Sequence, residues 1–198
     1  MFSLSGQRKF ILYWILATIV GLFVGVFLWD IVVDIVWNLE KTIKQVIGIR
    51  FPFSLQATIG FSTFGGAIGF CQWLVLRNRL KASWKWIILT TIAFPLVIVG
   101  LDPIFHASNG PFIIQGIAIS MFQWLYLLTQ LRKAYLWILS SAIAWGLISL
   151  ILYLLPIIPI PTSVYPVARV ILILLMGLCL SLPTGIMMLW LFRNRNDI

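Results

Sequence analysis

Acidic residues are scarce in this chain: five Asp and Glu stand among 198 residues, against 14 Lys and Arg, and charged side chains make up only 10%. Water-soluble domains carry about 25% charged residues, so an ordinary soluble globule is excluded. Histidine occurs once, at His106, and cysteine twice, at Cys71 and Cys179, both within apolar runs. That argues against a disulfide framework, and two cysteines with one histidine make no ligand set for a metal. His106 follows Asp102 in a stretch with an Asn109-Gly110 turn signal. A His–Asp dyad there lacks a nucleophile, and a loop histidine is the reading adopted. No phosphate loop, dinucleotide fingerprint or zinc-protease motif is present. No enzymatic activity is therefore expected, and the residues name no cofactor.

What the sequence does hold is apolar: 62% of residues, with a mean hydropathy of +1.07. Runs between charges predict six transmembrane helices, over 10–29, 55–76, 84–101, 112–131, 134–155 and 167–192. The expectation is an all-α polytopic bundle forming one membrane domain over residues 1–198. The first run is too long for a cleaved secretory signal and reads as a retained helix. A net charge of +9 would suggest nucleic acid in a soluble protein, but here the cations cluster between apolar runs and set orientation instead. Arg8, Lys9, Arg77, Arg79, Lys81, Lys85, Arg132, Lys133, Arg193 and Arg195 fall on one side, which is expected to be cytoplasmic, with both termini. Lys41, Lys44, Arg50 and Arg169 fall on the other, with Asp30, Asp34, Glu40 and Asp102.

The first run continues without proline into residues 30–47, where Asp30, Asp34, Asn38, Lys41 and Gln45 recur at the spacing of one helical face. This predicts an amphipathic helix lying on the outer surface. Asp30 and Asp34, near the membrane edge, are candidates to hold a cation or a partner's basic residue. Gly48 and Pro52 around Arg50 read as a turn, and Pro156, Pro159 and Pro161 as a stiff extended connection.

Self-similarity is the strongest signal. A shift of 51 residues carries Gly65, Ala67, Ile68, Gln72, Trp73, Leu74 and Leu76 onto Gly116, Ala118, Ile119, Gln123, Trp124, Leu125 and Leu127, and Trp86 onto Trp137. Each unit is a helical hairpin, an A helix followed by a B helix. The last span resembles an A helix, with Gly185 over Gly69 and Met188 over Gln72. The first resembles a B helix, with Tyr13, Ile15, Leu16 and Thr18 over Trp86, Ile88, Leu89 and Thr91. The order B-A-B-A-B-A is compatible with a pseudo-threefold axis along the membrane normal. Gly65 and Gly69, Gly116 and Ser120, and Ser181 and Gly185 give each A helix a small-xxx-small face, which predicts tightly packed A helices.

Gln72-Trp73 and Gln123-Trp124 admit two readings: interfacial anchoring with interhelical hydrogen bonding, or coordination of a bound ligand such as a cation or a tetrapyrrole magnesium. The pattern Gln-Trp-Leu-x-Leu, followed by a basic turn and a Trp-led helix at 72–86 and 123–137, resembles repeats of small multi-pass bacterial membrane proteins of cyanobacterial type. The resemblance covers about residues 60–150. It implies a bacterial inner or thylakoid membrane and no active site. The leading expectation is a non-catalytic accessory, assembly or scaffolding subunit whose partners are membrane lipids and other integral membrane proteins, with no nucleic acid. The alternative is a protein that binds or transports a small molecule, a lipid, pigment or vitamin, between its repeats.

Overall fold

The structure is a computed structural model that describes residues 4–48, 55–81, 83–100, 112–154 and 165–194. Outside the described residues lie Arg50, Pro52, Asp102, His106, the Asn109-Gly110 pair, Pro156, Pro159, Pro161 and Arg195. Six helices account for nearly all the rest: α1 (Leu4–Ile47), α2 (Leu55–Leu76), α3 (Trp84–Ile98), α4 (Phe112–Leu127), α5 (Leu136–Leu154) and α6 (Tyr165–Arg193). Four of them, α1, α2, α5 and α6, are long and apolar enough to cross a bilayer, while α3 and α4 are shorter apolar helices. The chain is thus an all-α, multi-pass membrane helix bundle.

The helices close into a ring in which each packs on its neighbours in sequence and α6 returns to α1. The starts of α1, α3 and α5 share one end of the bundle with the ends of α2, α4 and α6, because Trp14, Trp86 and Trp137 meet there. Neighbouring helices therefore run in alternate directions. Charge sorts the same way: Lys9, Arg79, Lys81, Arg132, Lys133 and Arg193 lie at this end, and Asp30 and Arg169 at the other.

One sequence expectation is corrected. The first span and the amphipathic segment form a single unbroken helix of 44 residues, about 66 Å at 1.5 Å per residue. No glycine or proline interrupts it between Gly25 and Gly48, and Gly48 ends it at φ +75°, in the left-handed region glycine favours. The helix stays against the bundle through Trp29, whose ring lies tilted at 4.4 Å from that of Phe61, as far as buried Val36. Beyond it, Trp37, Leu39, Val46 and Ile47 are exposed.

The small residues line close helix contacts, and the structure shows which helices meet there. The A helices do not pack on one another; each sets its small face against a B helix. A Cβ at Gly65 would stand 2.7 Å from the Thr90 carbonyl oxygen, one at Gly69 3.0 Å from Thr90, one at Gly116 would overlap the Trp145 ring, and one at Gly185 would stand 2.7 Å from Trp14. Ser120 and Ser181 turn their hydroxyls back onto their own helices, to the carbonyls of Ile117 and Leu178. Helices running in opposite directions alternate around the ring, so the surface each A helix must approach belongs to a B helix. Further close approaches, unremarked in the sequence, occur at Gly21 against Ile68, Gly60 against Trp29 and Gly177 against Ile19.

Gly116→Ala is expected to destabilise the bundle by about 1–3 kcal/mol through overpacking. Gly146→Ala, whose Cβ would meet only Ile113 at 3.4 Å, is expected to be neutral within about 0.5 kcal/mol. Denaturation of the two variants in detergent measures the difference.

Candidate functional site: the tryptophan core and its hydrogen bonds

Tryptophan suits a membrane interface better than a membrane interior, because its indole N–H requires an acceptor. Yet Trp14, Trp86 and Trp137 are all at most 1% exposed. Their rings meet edge-on in pairs: 6.4 Å between Trp14 and Trp86, 6.1 Å between Trp14 and Trp137, and 5.4 Å between Trp86 and Trp137. One comes from each odd-numbered helix, so the three indoles fill the middle of the ring at its basic end. Phe10, Leu76, Leu127, Met188 and Phe192 complete the same cluster.

The even-numbered helices supply the acceptors. Trp86 Nε1 donates to Gln72 Oε1 at 3.1 Å, and Trp137 Nε1 to Gln123 Oε1 at 3.1 Å. Each glutamine then spends its amide on the preceding odd helix: Gln72 Nε2 donates to Thr18 Oγ1 at 3.3 Å, and Gln123 Nε2 to Thr90 Oγ1 at 3.1 Å. Gln72 thus bridges α1 to α3, and Gln123 bridges α3 to α5. Each threonine stands four residues after a core tryptophan, one helical turn deeper. Ser141 stands at the same spacing after Trp137.

The third link differs. Between α5 and α1, α6 presents Met188, which is fully buried but has no amide. Trp14 Nε1 instead donates to Thr184 Oγ1 at 3.1 Å, one turn earlier on α6, and Thr184 donates onward to the Leu180 carbonyl at 2.5 Å. Ser141 faces a small cavity of about 30 Å³ lined also by Gln72, Thr90, Ser120, Gln123 and Thr184. At about 10–15 Å³ for each water, that space corresponds to two or three waters.

The first-span register also changes. Trp14, one residue beyond Tyr13, takes the place equivalent to Trp86, and Thr18 that of Thr90 rather than Thr91; Tyr13 is exposed. Thr18, Thr90, Ser141 and Thr184 are the polar residues that sequence reasoning missed. For Thr18, Thr90 and Ser141 the signal available was a hydroxyl four residues after a core tryptophan; Thr184 carries no such signal.

Gln72 and Gln123 are brought together with the tryptophan core, whereas Trp73 and Trp124 make no hydrogen bond to it. Trp73 packs on Phe70 and lies under the Arg77 guanidinium at 5.9 Å. Trp124 packs against the core cluster with its indole nitrogen buried and without a hydrogen-bond partner. Asp30 and Asp34 do not act as a pair: Arg169 of α6 holds the Asp30 carboxylate at 2.7 and 3.0 Å, with both side chains about half exposed, while Asp34 is exposed on the next turn. A pair this open contributes at most about 1 kcal/mol. Among the described residues no group of three or more His, Cys, Asp or Glu is placed to hold a metal. No family model matches the chain, and neither curated proteins nor solved structures give a match.

Chemically, this arrangement joins helices. Its hydroxyls have no titratable group among the named partners to activate them, and its amides have partners at both ends. Gln72→Met recreates at α2 the side chain found at Met188 and leaves the Trp86 indole N–H and Thr18 without their partner. A loss of about 1–2 kcal/mol in detergent denaturation is expected, with a shift in tryptophan emission. The reverse change, Met188→Gln, sets an amide between Trp14 and Ser141 and is expected to be neutral or stabilising by up to about 1 kcal/mol. A clear destabilisation by Met188→Gln would show that position 188 is not the counterpart of positions 72 and 123.

Proposed function

We propose that the chain is a non-catalytic integral membrane protein that serves as an accessory, assembly or scaffolding subunit. In this reading all six helices cross the membrane. Three 51-residue-type hairpins surround a pseudo-threefold axis through the indoles, and the basic end faces the cytoplasm of a bacterial inner or thylakoid membrane. The alternating helix directions, the two equivalent Gln–Trp links and the sorting of charge to one end support the arrangement.

The observation that carries the functional reading is the filled interior. Three tryptophans occupy the centre, their polar partners are hydrogen-bonded to one another, and among the described residues the cavity beside them measures about 30 Å³. A pigment, vitamin or lipid is many times larger, so the surface left for recognition is the outside. That surface carries exposed Tyr13, Phe27, Trp84, Tyr135 and Tyr153, and the projecting end of α1 adds Trp37, Val46 and Ile47. Exposed apolar residues along the bundle meet lipid or other helices. Those at the end of α1 extend past the roughly 30 Å hydrocarbon thickness, where a neighbouring protein is the natural cover.

Gentle purification from native membranes, with mass spectrometry for partners and an absorption spectrum with ligand extraction, tests this. The expected result is a stoichiometric protein partner and no absorption beyond the indole band. A stoichiometric lipid, pigment or vitamin with no protein partner would overturn it in favour of a small-molecule binder or transporter.

Topology is checked separately by thiol labelling in a Cys71→Ala/Cys179→Ala background. Lys133→Cys is expected to react with a membrane-impermeant maleimide from the cytoplasmic side, and Arg169→Cys from the opposite side.

A further inference from the structure

Each odd-numbered helix carries a hydroxyl one turn deeper than its core tryptophan: Thr18, Thr90 and Ser141. Two of the three are reached by a glutamine amide, Thr18 from Gln72 at 3.3 Å and Thr90 from Gln123 at 3.1 Å. The helix placed to serve Ser141 is α6, and there buried Met188 presents a thioether with no hydrogen to donate. Ser141 is 3% exposed, so bulk solvent does not serve it either. It does not turn back onto its own helix, where the Trp137 carbonyl receives Ser140 at 2.9 Å. Among the described residues the Ser141 hydroxyl makes no hydrogen bond, and a buried hydroxyl left so is costly.

Ser141 borders the cavity of about 30 Å³, together with Gln72, Thr90, Ser120, Gln123 and Thr184. Thr184 belongs to α6. Its oxygen accepts from the Trp14 indole and its hydrogen goes to the Leu180 carbonyl, which leaves one lone pair free. Each glutamine retains a second amide hydrogen and a second carbonyl lone pair. Donors and acceptors therefore border one space, and no charged side chain does. A buried water makes about three hydrogen bonds and needs such a lining. A cation would stand there without a counter-charge, which is expensive in an apolar interior.

We propose that this cavity is a water site, in which ordered water bridges Ser141 of α5 to Thr184 of α6 in place of the amide that Met188 lacks. Water accepts from the Ser141 hydroxyl and donates, directly or through a second water, to the free lone pair of Thr184. The remaining hydrogen goes to an oxygen of Gln72, Gln123 or Ser120. All three even-numbered helices are then joined to the odd helices on both sides by hydrogen bonds, two through amides and one through water. The inference rests on the hydrogen bonds of the core and holds whatever the outside of the bundle meets.

The test is a crystal structure of the full chain grown from a lipidic phase, with further crystals soaked in rubidium chloride or pressurised with xenon. Water is expected within about 2.5–3.0 Å of Ser141 Oγ, linked on to Thr184 Oγ1, with neither rubidium nor xenon entering. In Met188→Gln the new amide is expected to reach Ser141, and the water bonded to Ser141 to be lost.

Xenon in the cavity would mark it as dry and overturn the site, as would the lack of any ordered water there in the unsubstituted protein. An anomalous rubidium peak on the same oxygens would replace the water by a monovalent cation. Water bonded to the glutamines alone, with the Ser141 hydroxyl turned onto its own helix, would overturn the bridge. Water still bonded to Ser141 in Met188→Gln would show that it does not stand in for the amide.

Discussion

A buried indole N–H is costly without an acceptor, and three of them at the centre of an apolar ring, each hydrogen-bonded where that of Trp124 is not, make that cost the organising constraint of this protein. The tryptophans come from the odd-numbered helices, so the acceptors must come from the helices between them. Once Gln72 and Gln123 reach inward to Trp86 and Trp137, their remaining amide hydrogens fall beside Thr18 and Thr90. Each link fixes the rotation of three helices together. In lipid, where apolar surface gains little by meeting apolar surface, single interhelical hydrogen bonds contribute modestly, about 0.6 kcal/mol on average. Their value here is geometric, because an amide with two committed ends permits one register and no other.

Close approach is the other half of the same arrangement. Glutamine reaches a tryptophan on the next helix only if the backbones draw near. Gly65, Gly69, Gly116 and Gly185 provide that nearness on the even helices, as Gly21 does on α1. The bulky residues they receive, Phe94, Trp145 and Trp14, belong to the odd helices. Small residues on one helix type and large aromatics on the other make the ring self-complementary. At the third link, a methionine and a displaced threonine keep the core closed without the amide.

A protein that commits its interior to itself has its outer surface left for partners. The basic end combines Arg77 over Trp73, Arg79 over Phe10 and Lys133 over Trp190, cations held beside aromatic rings as befits the headgroup region. The opposite end has the Asp30–Arg169 pair and the long extension of α1. These two ends differ in charge and in the aromatic rings beside it, while the tryptophan core between the helices is filled by its own side chains.

The apolar runs, the basic clusters and the 51-residue match of Gln72 and Trp86 with Gln123 and Trp137 were legible in the residues themselves, because span length, charge placement and repetition are properties of the chain taken in order. Helix existence in α2, α3, α4, α5 and α6 followed from them within a few residues. Rotation about each helix axis did not follow. In a membrane both the lipid face and the core face are apolar, so hydrophobic periodicity does not say which side of α1 turns inward, and the adjacent Tyr13 and Trp14 could not be told apart. That choice, the burial of Thr18 and Thr184 beside indoles, the packing of A helices on B helices and the continuity of α1 through Asp30 were decided by the tertiary structure. Each depends on which side chain from another helix arrives opposite, and that is fixed only when the ring closes.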